Sequence, residues 1–352
     1  IENQQPLLNP PEIIKAVYAT NWSMSNNKKI KYFLDLIDAT ELNAIVIDIK
    51  DYTGIVPYKN DIDLVNDYNA CERRILEPNK LIKTFHDRGI YVIGRISVFQ
   101  DLQLAEARPD LALISSSTSA AWKDNKGLTW MDTAAEEVWD YNIAIAKDIL
   151  ARGFDEVNFD YIRFASDGNL NDIKHPYWDE KTLKTTILKE FFKYLRENLP
   201  NAKLSADLFG LATIDTKGVG IGQHLEHTLP YFDAVAPMVY PSHYFTGFQG
   251  YQKPAEHPYE VVKYSMDEAI RRTKQFMVYA STTPVTAKFR PWLQDFDLGA
   301  DYGAKEIKSQ IRAWNDAAIN NPELNEGWML WNASNIYTKD ALEIAIIENL
   351  QE

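Results

Sequence analysis

The run Gly153-Phe154-Asp155-Glu156-Val157-Asn158-Phe159-Asp160-Tyr161-Ile162-Arg163-Phe164 joins the end of one element to the start of the next. Upstream of it, Val138, Tyr141, Ile145 and Ile149 share one helical face. Gly153 stands where that helix should stop, since glycine takes the left-handed backbone of a helix C-terminal cap at no steric cost. Downstream, Glu156–Phe164 reads as a strand. Helix, glycine stop and strand make one repeating unit of an α/β protein with a parallel sheet.

Working outward, the same alternation recurs along the chain. Eight strands are predicted: Ala16–Asn21, Ala44–Lys50, Tyr91–Ile96, Glu156–Phe164, Lys203–Phe209, Ala234–Tyr240, Lys288–Asp295 and Gly327–Asn332. Several are apolar on both faces, as buried parallel strands are. Between them, Ile30, Phe33, Leu34 and Ile37 form a helical stripe, as do Leu183, Ile187, Phe191 and Leu195, and Ile307, Ile311 and Trp314. Gly89 repeats the stop signal of Gly153. Phe276–Ala280 is an alternative seventh strand or the tail of the preceding helix.

Eight such units with no Pro-rich or Gly/Ser-rich linker between halves predict a single (β/α)8 TIM barrel over residues 11–350, with 1–10 as an N-terminal extension. The length of 352 residues exceeds the ~250 typical of that fold. The excess falls in segments that follow strands: Asp51–Asn79, Ser97–Met131, Ala165–Asp179 and Pro241–Pro258. Such loops lie on the barrel's C-terminal face, where active sites of this architecture sit. Two carry aromatics, Tyr177 and Trp178 in one, Tyr244, Phe245, Phe248 and Tyr251 in another.

Composition narrows the chemistry. With 45% hydrophobic and 25% charged residues the chain is a cored globular protein. No stretch approaches the ~18 apolar residues of a membrane span. The start at Ile1, without an initiator Met, reads as a mature or trimmed chain, and a secreted or cell-envelope location is expected. A net charge of −13 repels polyanions, and no basic run interleaves with aromatics, so nucleic acid is not an expected partner. The single cysteine, Cys71, can form no internal disulfide. Nine Trp and 19 Tyr are more than a core alone requires, and some of them are expected to face a ligand.

The last residues of barrel strands point into the mouth. Asp48 and Lys50, Arg95, Asp160 and Arg163, Asp207, Tyr240, Trp292 and Gln294, and Trp331 and Asn332 occupy those positions. Carboxylates embedded in apolar strands are costly unless paired or used, and Arg95, Arg163 and Lys50 are the available partners. A buried ion-pair belt is the bland reading for any one of Asp48, Asp160 and Asp207. Two carboxyl groups facing each other across an aromatic-walled cleft are the minimum equipment for cleaving a glycosidic bond. Asp160 and Asp207 come from adjacent strands, at a separation of roughly 5–10 Å that spans both retaining and inverting geometry. Tyr18, Tyr240, Trp292 and Trp331 are candidates to stack on sugar rings.

The Gly153–Phe164 run, with Arg290-Pro291-Trp292-Leu293-Gln294-Asp295 and Leu330-Trp331-Asn332, resembles the glycoside hydrolase family catalogued as domain of unknown function 4015, from about Pro11 to Tyr337. The resemblance implies a TIM-barrel glycosidase related to the α-amylase-like groups, a carbohydrate substrate and no cofactor. It implies that Asp160 is nucleophile or base and that Asp207, in Ser205-Ala206-Asp207-Leu208-Phe209-Gly210, is the general acid. Trp130-Met131-Asp132 also resembles a family motif, although Asp132 reads equally as a helix cap. Where such families carry Pro after Arg-Phe, Ala165 and the insert Ser166–Asp179 stand instead.

Other signals carry less. Gly218-Val219-Gly220-Ile221-Gly222 lacks the third glycine of a nucleotide loop, with Gln223 in its place. His224 and His227 have no third metal ligand nearby, and Asp61, Asp63, Asp67 and Glu72 miss the calcium-loop pattern because Asn66 replaces the turn glycine. No metal is expected. Two alternatives stay open: a carbohydrate-binding barrel without catalysis, and a metal-dependent hydrolase using Asp48, Asp160 and Asp207.

Overall fold

A computed structural model describes residues 1–280 and 282–345. Its strands are β1 (Ile14–Ala19), β2 (Ala44–Lys50), β3 (Tyr91–Ser97), β4 (Glu156–Asp160), β5 (Leu204–Phe209), β6 (Ala234–Met238), β7 in two pieces (Lys288–Phe289 and Trp292–Gln294) and β8 (Gly327–Trp331). Each lies parallel to its neighbours in chain order, and β8 returns to β1 with Ile14 opposite Gly327. The ring is therefore closed, which removes the exposed edges an open sheet would present. Gly327 is required at the closure. It has a φ of +104°, and a β-carbon there would lie 1.8 Å from the Ile14 carbonyl oxygen.

Helices α1 (Asn27–Asp38), α2 (Pro78–His86), α3 (Glu136–Ala151), α4 (Lys184–Asn198), α5 (Leu225–Thr228), α6 (Pro258–Tyr279) and α7 (Ala304–Ala318) follow β1 to β7 in turn. After β8 the described chain carries only the 3₁₀ turn Lys339–Ala341, and the expected end of the barrel at 350 lies outside the described residues. The apolar faces of the helices and the outward residues of the strands make one core, with Phe33, Ile37, Tyr141, Ile145, Phe191 and Trp314 all buried in it. A second, smaller core fills the barrel itself, from Ile14, Ala16, Val46, Ile93 and Ala236 up to Tyr18, Tyr240 and Trp292.

Several expected bounds shift. β4 stops at Asp160, because Tyr161 adopts a left-handed φ of 52° that no strand can continue through. β1 stops at Ala19, where Thr20 caps the short turn Asn21–Met24. Leu183 precedes α4 and is exposed. The expected seventh strand at 288–294 is borne out, with Phe276–Tyr279 the tail of α6, but it is interrupted at Arg290-Pro291 where Pro291 has no N–H to give to the ladder.

The floor of the barrel holds a buried ionic cluster. Arg290 pairs with Glu156 and, at 3.3 Å, with Glu326, while Ser205 Oγ and Tyr91 OH donate to Glu156 at 2.5 and 3.2 Å. Buried ion pairs thus stand at both ends of the barrel, since Arg95 pairs with Asp48 and Asp160 at the mouth. Above the mouth, the loops after β3 and β4 are tied by a two-residue antiparallel ribbon, Ile114–Ser115 against Ile173–Lys174. Asp132 strengthens that tie: it accepts from Ala134 N–H at the foot of α3 and from Tyr177 and Trp178 N–H in the inserted loop.

Candidate active site

Alternation along β4 puts Glu156, Asn158 and Asp160 on the inner face, floor to mouth. The β4–β5 register sets Asn158 opposite Ser205 and Phe159 opposite Ala206, so the next step brings Asp160 level with Asp207. Both aspartates line one cavity of about 420 Å3, within the ~300–1,000 Å3 of ligand pockets. Tyr161, Phe209, Tyr240, Tyr244, Trp292 and Trp331 supply its aromatic wall.

The two carboxyls are held differently. Asp160 is surrounded by donors: Arg95 Nε and Nη2 reach Oδ2 at 3.1 and 2.6 Å, and the Tyr161 N–H reaches Oδ1 at 2.6 Å. Tyr161 itself sits in the left-handed region, and strained backbone of this kind gathers at functional sites. Asp207 has no cation against it among the described residues. Its Oδ1 accepts from Asn158 Nδ2 at 2.9 Å and from Trp292 Nε1 at 2.8 Å, and its enclosed Oδ2 has no partner among the described residues. Burial first, then the charge of Asp160, pushes the Asp207 carboxyl well above the ordinary carboxylate range. Asp207 is thus a buried carboxyl pushed toward its neutral form.

Behind Asp160, Arg95 also donates through Nη1 to Asp48 at 2.6 Å, and Tyr18 OH donates to the other Asp48 oxygen at 2.5 Å. Burial raises Asp48 as well, opposed by Arg95 and the Tyr18 hydroxyl. Tyr18 stacks on Trp331 with centroids 3.8 Å apart, and Trp331 meets Trp292 edge to face at 5.5 Å. Tyr18 and Asp48 therefore sit one layer beneath the cavity and hold Arg95 and Trp331. The Tyr240 hydroxyl, kept protonated by burial and the two aspartates, is another enclosed polar atom without a partner among the described residues, as is Asn158 Oδ1. Unsatisfied polar atoms are rare in native interiors, and these three gather beside the cavity.

Of the expected site residues, Asp160, Asp207, Arg95, Arg163, Tyr240, Trp292 and Trp331 meet at this cavity. Five others do not: Tyr18 and Asp48 lie beneath it, and Lys50, Gln294 and Asn332 are engaged elsewhere. Lys50 follows a register irregularity after Asp48 that turns it out of the barrel, where it pairs with buried Asp101 at 2.5 Å over the Tyr141 ring of α3. Gln294 is consumed by Ser242 N–H, the Phe296 carbonyl and Gln310, and Asn332 by the Asp295 and Ile336 carbonyls, so both brace loops. Arg163 lines the cavity without the carboxylate partner expected for it; its Nη1 donates to the Phe164 carbonyl and to Ser166 Oγ, each at 3.1 Å.

Asn158, Tyr161, Lys126 and His243 enter the site without having been anticipated. Period-two alternation from Asp160 would have found Asn158. Lys126 and His243 stand on long loops, where no periodicity reports direction.

A three-aspartate metal site does not match this geometry, because the Arg95 guanidinium occupies the space between Asp48 and Asp160. His224 and His227 lie with rings 4.5 Å apart but turn to Glu226 and the Thr185 carbonyl, and among the described residues no group of three ligating side chains gathers. Among the described residues no helix is long and apolar enough to cross a membrane.

Among curated proteins, none is similar to the chain. Among solved structures, a hypothetical protein from Ruminiclostridium thermocellum shares 37% identity over 58% of this chain and 98% of its own, with a TM-score of 0.51. The glycoside hydrolase domain of PgaB (BpsB) from Bordetella bronchiseptica superposes with a TM-score of 0.65 at 13% identity, covering 94% of this chain and 99% of that one. An α-galactosidase from Thermus thermophilus gives 0.52 at 14% identity, over 96% and 61%. The last two likenesses show the shared TIM-barrel fold. The model of the family DUF4015, described as "Putative glycosyl hydrolase domain", matches residues 16–337. Nearly the whole barrel, with Asp160 and Asp207 inside the matched span, thus belongs to the DUF4015 family of glycosyl hydrolase domains.

Proposed function

We propose that the protein hydrolyses glycosidic bonds of a glycan or polysaccharide with Asp207 as general acid and Asp160 as nucleophile. The observation that carries this reading is the pair itself: two carboxyls in one aromatic-walled cavity, one without a cation against it among the described residues and pushed toward its neutral form, the other gripped by Arg95 and a backbone N–H. Environments that drive two carboxyls apart in protonation are how an acid and a nucleophile are told apart. In the first step the Asp207 proton passes to the glycosidic oxygen as the bond from that oxygen to C1 breaks, and an Asp160 oxygen bonds C1. In the second, Asp207 as carboxylate takes a proton from water, which attacks C1 and frees Asp160. Trp292 and Asn158 fix the Asp207 carboxyl so that Oδ2 faces the leaving oxygen.

Neighbouring strands are ~4.8 Å apart, and two side chains level on such strands stand nearer the ~5–5.5 Å of retaining enzymes than the ~6.5–9.5 Å of inverting ones. The first product should therefore keep the anomeric configuration of the bond cleaved. Proton NMR during the first minutes of reaction, on glycans picked from a panel of bacterial and plant polysaccharides, reads this directly. Initial formation of the opposite anomer would remove Asp160 as nucleophile. A polymeric substrate of this kind also places the protein in the cell envelope or outside the cell, which fractionation of the source cells would test.

A further inference from the structure

Arg163 is nine-tenths buried, yet no carboxylate pairs with it among the described residues. Its guanidinium is wedged between aromatic rings, 4.6 Å from Trp130, 4.7 Å from Phe209 and 5.3 Å from Tyr161. The nearby acids are engaged elsewhere: Asp160 by Arg95, Asp124 by Gln100, Trp130 and its own loop's N–H groups, Asp167 by the Asn125 N–H. Only Nη1 is used. The edge formed by Nε and Nη2 meets no acceptor among the described residues, and unlike the enclosed Nε of Arg290 it is not sealed in protein. That edge is the fork that binds a carboxylate or ester anion through two parallel hydrogen bonds. A buried guanidinium with no counter-charge is costly, and the cost is offset when a ligand brings the anion.

Lys126 lines the same cavity and has no ion-pair partner among the described residues. It stands at the tip of a tight loop closed by Gly127, whose φ is +79°, and Asp124 Oδ1 pins the loop by accepting from the Lys126 and Leu128 N–H groups at 2.9 Å. His243, opposite, is held below its ordinary value by burial and by Lys126, so it is neutral at pH 7 and brings no competing charge. With Arg95 answered by Asp48 and Asp160, Arg163 and Lys126 are the cavity's cations without an ion-pair partner among the described residues, on a chain of net charge −13.

We propose that the cavity contains an anion subsite, built from the Nε/Nη2 edge of Arg163 and the Lys126 ammonium, that reads an acidic substituent on the sugar beside the scissile bond: the carboxylate of a hexuronic acid or a sulfate ester. This deepens the hydrolase reading and rests on it for the place of the sugar, but its test uses binding alone. The probes are trimers of galacturonate, glucuronate and mannuronate, each against its methyl ester, and galactose 6-sulfate against galactose, titrated calorimetrically into the intact protein.

At least one acidic probe should bind roughly 10- to 100-fold more tightly than its neutral counterpart, the range of a charge-assisted hydrogen-bonded pair. Whether a uronate or the sulfate ester shows that margin identifies the anion. Arg163→Met should erase the margin, and Lys126→Met, on a solvent-exposed loop tip, should narrow it several-fold at low salt; the second variant keeps the test valid if the first does not fold. Equal affinity for every acidic and neutral pair, or a margin that survives Lys126→Met and Arg163→Met unchanged, overturns the subsite while leaving hydrolysis untouched. Selective acidic binding without release of reducing ends from any glycan overturns the hydrolase reading and leaves the subsite.

Discussion

Asp207→Asn should lower turnover of an unactivated glycan by about 10²- to 10⁴-fold, the contribution of a positioned general acid, and at the same time raise the melting temperature. Both effects come from the same oxygen. Asn keeps a carbonyl where Oδ1 accepts from Asn158 and Trp292, so no hydrogen bond is lost, but its amide cannot pass a proton to a leaving group. Glycosides with a good leaving group, such as 2,4-dinitrophenyl, should be cleaved by the variant with far smaller loss, since their departure needs no protonation.

The stability effect has a definite sign. The folded Asp207 pKa is raised above its ordinary value near 3.8, so its contribution is fully present below that value and is lost as pH rises through the folded pKa. At neutral pH wild type carries that penalty and the amide does not. The variant's gain should therefore be absent near pH 3 and widen on going upward, which melting curves across pH will show. The same raised pKa sets the alkaline limb of wild-type activity well above the ordinary carboxylate range. An unchanged or lowered melting temperature at pH 7 would mean that Asp207 is ionised in the folded protein and is no acid.

Arg290→Met should cost about 3–5 kcal/mol, the loss typical of breaking a buried ion pair from one side. Arg290 is fully buried and lies between Glu156 and Glu326, both themselves buried. Methionine fills much of the volume but leaves two carboxyls facing each other at the barrel floor, where Ser205 and Tyr91 can satisfy only Glu156. Glu326 is already raised by burial, opposed chiefly by Arg290, so removing the arginine drives it further up. Its proton uptake then supplies part of the relief, and the deficit should shrink as pH falls toward the ordinary carboxylate range. Denaturant titration would register a lower midpoint, and the melting temperature should drop by roughly 5 °C. Since the cluster lies at the end opposite the cavity, the folded variant should keep its kcat/KM. Stability within 1 kcal/mol of wild type, on the other hand, would mean that the cluster is hydrated and contributes little.

Much of this architecture was legible because parallel barrel strands must be apolar on both faces, and runs such as Ala44–Ile49 and Gly327–Leu330 have few other uses. The pairing of Asp160 with Asp207 was legible for the same reason: both stand at mouth ends of adjacent strands. What escaped were places where backbone geometry departs from its period without a sequence mark. Tyr161 takes a left-handed conformation usually reserved for glycine, ending β4 early and turning Arg163 away from the strand that was expected to pair it with a carboxylate. A register shift after Asp48 sends Lys50 outward to Asp101, although period two would point it inward. Gln294 and Asn332 have the right height but spend their amides on loop carbonyls, a choice made by chain segments far from them in sequence.

The central claim, that Asp160 attacks the anomeric carbon, is tested most directly by cleavage of a substrate glycoside by Asp160→Asn with and without sodium azide. Asn cannot attack, and its amide would also set an N–H against the donors of Arg95 or Tyr161, so hydrolysis should fall by about 10⁴-fold or more and the fold should lose some stability. Azide, small enough for the vacated space, should restore cleavage and yield a glycosyl azide of inverted configuration. Hydrolysis by Asp160→Asn at the wild-type rate without azide would contradict the account.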